Sequence, residues 1–439
     1  MKTSERIPVV PMKLLVPFVL VTSLFALWGF ANAVTDPMVQ AFKKVLELSN
    51  SQAAWVQMAF YGGYFCMALP AALFVRKFSY KSGVLVGLTL YSAGALLFYP
   101  AATTGLFWFF CLGLYILTFG LAFLETTANP YILAMGDPKT ATQRLNLAQA
   151  FNPLGLIAGL MVAKFFVLDL LQSDDVANFS ALPQAQKLLI KSADLMVIRN
   201  PYVILGLVVL AILILIAVNK MPQAKGEGEI PGVKETFRQL FKNNRYTFGV
   251  LALVLYMGAQ IMCWTYIYQY AEAQGVSNST AANYQLGAFI LFTAGRALGT
   301  YLLKFMSSGK LLFYFAALGG LFTLGVVILE GSIGLYCLIT VSLFLSIMFP
   351  TIYGIALEGL KEEQSKIGAA GLVMAIVGGA LLPKLQGMLI DLGGVGVDDI
   401  QVMGISEMNL SFLLPVICLV LVAMYGIWIQ RKDKQLKQA

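Results

Sequence analysis

Histidine is absent from this 439-residue chain. That absence removes imidazole metal sites, histidine proton relays and Ser-His-Asp catalysis. Charge is scarce: 12% of the residues are Asp, Glu, Lys or Arg, about half the share of a soluble domain. An ordinary soluble enzyme, a disordered protein and a nucleic-acid binder are excluded on that ground. Cysteine is limited to five residues. Cys66, Cys111, Cys263, Cys337 and Cys418 all lie inside apolar runs, and none forms a CxxC pair. They read as buried thiols, not as disulfides or metal ligands.

What the chain has in abundance is apolar sequence: 59% hydrophobic residues and a mean hydropathy of +0.78. A bilayer span needs about 20 such residues in a row. About twelve stretches qualify, near 14–35, 52–75, 82–101, 105–135, 144–168, 200–218, 246–271, 281–305, 310–330, 333–357, 367–390 and 409–430. The first is too long for a signal peptide and lacks a small-residue cleavage site.

The net charge of +8 is distributed by loop. Lys2, Arg6 and Lys13 precede span 1, and Arg76, Lys77 and Lys81 follow span 2. Lys139 and Arg144 follow span 4, and Lys220, Lys225, Lys234, Arg238, Lys242 and Arg245 follow span 6. Arg431, Lys432, Lys434 and Lys437 close the chain. All fall on one face if both termini are cytoplasmic, the orientation that excess Lys and Arg favours. Acidic loops (Asp169, Asp174, Asp175; Asp391, Asp398, Asp399, Glu407) then lie outside. The polar loop 219–245 divides the chain into six-span halves, 1–218 and 246–439, and an amphipathic helix is expected at 232–243. The halves echo each other: Lys77-Phe78 matches Lys304-Phe305, and Pro130 matches Pro350.

A charge at mid-membrane costs about 2.5–3.5 kcal/mol on insertion scales, so it is rarely idle. Glu125 in span 4 has apolar or small residues before it and no basic neighbour within one turn. A carboxyl that is protonated in one state and ionised in another is a proton carrier. The alternative is a Glu fixed by a hydrogen bond or by an ion pair with Arg296 of span 8. Asp36, at the expected end of span 1, either titrates or caps the outer loop before Pro37. Lys384 can snorkel to an interface.

Uncharged polar residues share these spans: Asn32, Gln57, Tyr61, Asn129, Asn146, Gln149, Asn152, Gln260, Trp264, Asn283 and Tyr353. Asn146, Gln149 and Asn152 recur at i+3 and would line one helix face. Amides beside aromatic rings suit a neutral polyhydroxylated ligand. The competing reading is interhelical hydrogen bonding, worth about 0.6 kcal/mol on average. The Gly378-Gly379 and Gly319-Gly320 pairs read as close-packing points or hinges.

Two six-span repeats joined by a polar loop describe the major facilitator fold, an all-α membrane architecture of twelve helices. Several motifs resemble its fucose–proton symporter family. They are Phe60–Phe65, Phe78-Ser79-Tyr80-Lys81-Ser82-Gly83, Leu124-Glu125-Thr126-Thr127-Ala128-Asn129-Pro130, Arg144–Asn152, and Gly258-Ala259-Gln260 with Cys263-Trp264. The resemblance covers most of the chain outside 169–199 and 219–245. It implies import of L-fucose or a related hexose with a proton by alternating access. It implies that Asp36 and Glu125 match the family's two essential carboxylates, and that Asn32, Gln149 and Asn152 contribute to the sugar site. Ala33 and Thr35 stand where fucose-transporting members carry Asn, so glucose, galactose and N-acetylglucosamine stay open as substrates.

The expected partners are a small neutral sugar and the bilayer of the inner membrane, with no nucleic acid, the chain acting as a monomer. No cofactor or metal is expected beyond the coupling proton. The rival readings are a drug or amphiphile exporter of the same fold and a membrane sugar sensor. The 219–245 segment is too short for a signalling domain, and a membrane enzyme has no nucleophile or metal motif to support it.

Overall fold

The structure is a computed structural model that describes residues 8–47, 50–173, 176, 182–221, 233–276, 278–329, 331–390, 401–402 and 404–438. The first six expected spans correspond to α1 (Leu15–Val45), α2 (Asn50–Lys77), α3 (Tyr80–Leu96) with α4 (Phe98–Thr104), α5 (Phe107–Ala134), α6 (Ala141–Gln149) with α7 (Asn152–Phe166), and α8 (Gln184–Val218). The helix expected in the 219–245 loop is α9 (Val233–Lys242). The last six are α10 (Asn244–Thr265) with α11 (Ile267–Ala273), α12 (Asn278–Leu302), α13 (Ser308–Ile328), α14 (Gly331–Leu345) with α15 (Met348–Leu357), α16 (Glu362–Met374) with α17 (Gly378–Ile390), and α18 (Glu407–Ser411) with α19 (Leu413–Gln438). A short antiparallel pair, β1 (Gln401–Val402) and β2 (Ile405–Ser406), precedes α18.

Among the described residues, eleven segments are long and apolar enough to cross a membrane. The remaining one, α12, has 25 residues, about 37 Å of helix against a hydrocarbon core of about 30 Å. Asn283, Gln285 and Arg296 lower its apolar character.

Two boundaries differ markedly from the sequence reading: the helix expected at 200–218 already opens at Gln184, and span 1 overruns its expected end. Span 1 does not stop at Asp36, because α1 runs on to Val45. Met38, Ala41, Phe42 and Val45 are all buried, and they recur at i, i+3, i+4 and i+7. That helical period outweighs the break signalled by Asp36-Pro37.

Contacts group the chain into two compact units. One comprises Met12–Tyr131 and Leu154–Glu227; the other comprises Met1–Pro11, Ile132–Pro153 and Gly228–Ala439. In the first, α7 lies directly on α1. A Cβ at Gly155 would overlap the Ala26 carbonyl, and one at Gly159 would crowd the Phe30 carbonyl. This is the small-xxx-small packing of membrane helices. Phe98 stacks on Tyr202 with ring centroids 3.8 Å apart, and Phe42 packs on Phe110 at 4.8 Å. In the second unit α10 packs on α17 and α19, and α13 on α14 and α19. Gly378 lies against the Val254 carbonyl there, whereas Gly319 and Gly320 make ordinary contacts.

Helix ends leave four carbonyls without intrahelical donors. Three basic residues take up that role. Lys81 donates to Ala217 O and Asn219 O at the end of α8, both at 2.8 Å. Arg144 donates to Ile132 O (2.8 Å) and Leu133 O (2.6 Å) at the end of α5, and to Val9 O (3.1 Å), Asp137 O (3.4 Å) and the Thr140 hydroxyl (3.1 Å). Arg245 donates to Ile355 O at 3.1 Å near the end of α15 and pairs with Glu358 and Asp433. Each cation also meets the negative end of a helix dipole.

Candidate functional site

Glu125 sits in the middle of α5 and is 2% exposed. Neither carboxylate oxygen has a hydrogen-bond partner among the described residues. A buried carboxyl in that state is costly when ionised. The Tyr64 phenol and the Trp28 indole share its neighbourhood. Asn129, one turn on, is fully buried. It donates its amide to the Glu125 carbonyl at 2.9 Å, an i−4 bond within the helix. Asn32 and Tyr61, on α1 and α2, are half-buried. Asp36 and Gln57 lie in α1 and α2, but their side chains fall outside the described residues. These six belong to the first unit.

The second unit holds the remaining candidates. The expected stripe of Asn146, Gln149 and Asn152 is not one continuous helix. It breaks at Ala150-Phe151, and Asn152 opens α7. Pro153 explains the break, since it has no N–H to give the carbonyl four residues back, that of Gln149. Arg296 of α12 supplies the missing donor. Its Nη1 donates to Gln149 O at 3.0 Å and to Gln149 Oε1 at 3.4 Å. A discontinuous helix with a freed carbonyl is how membrane transporters build polar sites in apolar surroundings.

Arg296 is 3% exposed. Its guanidinium lies 4.9 Å from the Phe292 ring centroid, close enough for cation–π attraction. Its Nε has no hydrogen-bond partner among the described residues. Trp264 of α10 packs edge-on against Phe289 (5.0 Å) and Phe292 (5.1 Å), and its indole donates to the Ser342 hydroxyl at 3.2 Å. Gln260, one turn back, is buried. Tyr353 is fully buried and stacks on Phe349, centroids 5.9 Å apart. Asn146 is fully buried and donates to Thr142 O (2.9 Å) and to the Thr351 hydroxyl (3.3 Å). Asn152 is half-buried, and Asn283 is exposed near the start of α12.

The structure therefore gathers Gln149, Arg296, Phe292 and Trp264 into one polar–aromatic cluster, with Gln260 on the helix that carries Trp264. Asn146 joins α6 to α15. Two buried amides escaped the sequence reading. Gln285 of α12 is buried with Oε1 unpartnered among the described residues. Gln386 of α17 donates to the Ser411 hydroxyl at 3.0 Å. Both are polar residues in spanning segments, which was the available signal.

The comparisons with known proteins bear on this arrangement. The sequence signature of the Major Facilitator Superfamily matches residues 18–383. The chain belongs to that superfamily. It is 55% identical over 421 residues to the L-fucose-proton symporter of Haemophilus influenzae, covering 94% of this chain and 96% of that protein. It is 31% identical over 410 residues to the glucose/galactose transporter of Brucella abortus, covering 92% of each. The crystal structure of the Escherichia coli fucose:proton symporter FucP matches with a TM-score of 0.84 at 31% identity, over 94% of this chain and 98% of that one. The expected major facilitator fold and the resemblance to the fucose–proton symporters are both borne out.

Proposed function

We propose that this chain imports L-fucose, or a closely related hexose, together with a proton by alternating access. The observation that carries the reading is Glu125, a buried carboxyl whose oxygens have no hydrogen-bond partner among the described residues, in a chain 55% identical to an L-fucose-proton symporter. Glu125 takes a proton from outside, with Asp36 earlier on the same path. The protonated, neutral site then permits the switch, and ionisation on the inner side returns the proton to the cytoplasm. Asn32, Gln57, Tyr61, Asn129, Asn146, Gln149, Asn152, Gln260, Trp264, Asn283 and Tyr353 are the proposed sugar contacts. Arg296 organises Gln149. The protein works as a monomer in the inner membrane with both termini cytoplasmic. Six-helix bundles at 1–218 and 246–439 are joined by the linker 219–245. It performs no enzymatic chemistry.

A glucose/galactose specificity is the second reading, favoured by Ala33 and Thr35 and by the 31% identity to the Brucella transporter. Uptake of radiolabelled sugars into proteoliposomes, with and without an inward pH gradient, tests both. The expected result is gradient-driven accumulation of L-fucose, abolished in Glu125→Gln. Accumulation of glucose or galactose instead would establish the second reading. Full accumulation by Glu125→Gln would overturn the coupling role of that carboxyl. No sugar movement in the wild type would overturn the sugar reading itself.

A further inference from the structure

The turn between α12 and α13 carries an exposed cluster outside the proposed sugar and proton site. Tyr301, Phe305 and Tyr314 are 55%, 66% and 44% exposed. The Tyr301 and Phe305 rings meet edge-on at 5.3 Å. Lys304 Nζ lies 5.3 Å from the Tyr301 ring centroid, and Lys310 Nζ lies 5.9 Å from that of Tyr314. Residues 301–314 contain no Asp or Glu. The neighbouring end of α19 adds to this charge. Gln430 donates to Gly309 O at 3.4 Å, and Lys432 stands 5.0 Å over the Trp428 ring. Asp433, the carboxylate at that end, is engaged by Arg245.

Aromatic rings at a helix end settle at the headgroup level of a bilayer. Lysines beside them attract anionic lipid. Rings at the headgroup level would keep the ammonium groups at the height of the phosphates, and residues 301–314 carry no carboxylate to offset that charge. We infer that the α12–α13 turn, with the adjoining end of α19, binds the headgroup of an anionic phospholipid. This goes beyond the sugar reading and does not depend on it.

The test uses the full chain in nanodiscs of phosphatidylcholine, with or without added phosphatidylglycerol. The readouts are the melting temperature and the lipid retained in native mass spectrometry. Phosphatidylglycerol should raise the melting temperature above that in phosphatidylcholine alone, and high salt should erase the difference. The double substitution Lys304→Gln/Lys310→Gln should lower preferential retention by about fivefold per lysine. Because the readout is the difference between two lipids within one variant, a general loss of stability cancels. Lys164→Gln, on an isolated lysine–aromatic pair in α7, should keep the wild-type preference. No lipid preference in the wild type, or an undiminished one in the double variant, would overturn the proposal.

Discussion

Pro153 and Arg296 form a donor–acceptor exchange that a double-mutant cycle can isolate. In the native chain Pro153 gives no N–H to the Gln149 carbonyl, and Arg296 Nη1 fills the vacancy at 3.0 Å. Replacing Arg296 with Met has three effects. It removes the charge-assisted hydrogen bond to the Gln149 carbonyl, at a cost of about 1.5–3 kcal/mol. It forfeits the contact with Phe292 at 4.9 Å, worth about 0.5–2 kcal/mol. It also relieves the burial of a charge. Pro153→Ala restores an N–H at the i+4 position of Gln149, so in that background a backbone donor can take over the hydrogen bond that Arg296→Met removes. The cation–π loss and the relieved charge burial are common to both backgrounds and cancel. The cycle should return a coupling of about 1–2 kcal/mol, with Arg296→Met less harmful beside Ala at 153. Denaturation in mixed micelles, followed by tryptophan fluorescence, measures the four proteins. Equal costs in both backgrounds, within about 0.5 kcal/mol, would refute the argument that the proline created the vacancy.

Arg144→Ala should cost about 1.5–3 kcal/mol, because it removes the charged donor to the Leu133 carbonyl and leaves the Ile132 carbonyl with the Met135 N–H at 3.2 Å; thermal unfolding in detergent against the wild type checks it. Gly155→Leu should prevent folding, since its side chain would occupy the Ala26 carbonyl of α1; the absence of a monodisperse peak in size-exclusion chromatography is the expected result, and a normal peak would show that α7 can move off α1.

Much of the fold was legible because hydropathy is a local property. The spans and α9 came from run length and periodicity alone. Local signals also misled: Asp36-Pro37 reads as a helix end, yet the apolar period through Val45 carries α1 past it. At the site, residue type singled out individual side chains, but the partners of several lie far off in sequence. Asn146 meets Thr351, and Gln149 meets Arg296, 205 and 147 residues away. Nothing local distinguishes Asn129, whose amide bonds its own helix, from Gln149, whose amide reaches another. The break at Pro153 was written in the sequence, but which side chain would meet the freed carbonyl was not.

Lys81, Arg144 and Arg245 have a consequence for any attempt to engineer insertion. Basic loop residues are customarily treated as interchangeable address labels, to be moved or neutralised when orientation is mapped. In this protein those three are also fasteners at the ends of α8, α5 and α15. A charge-relocation series that includes them would confound orientation with assembly. A chain degraded for want of a fastener would look the same as one inserted upside down. The informative series moves Lys139, Lys234 or Lys242 and leaves those three in place.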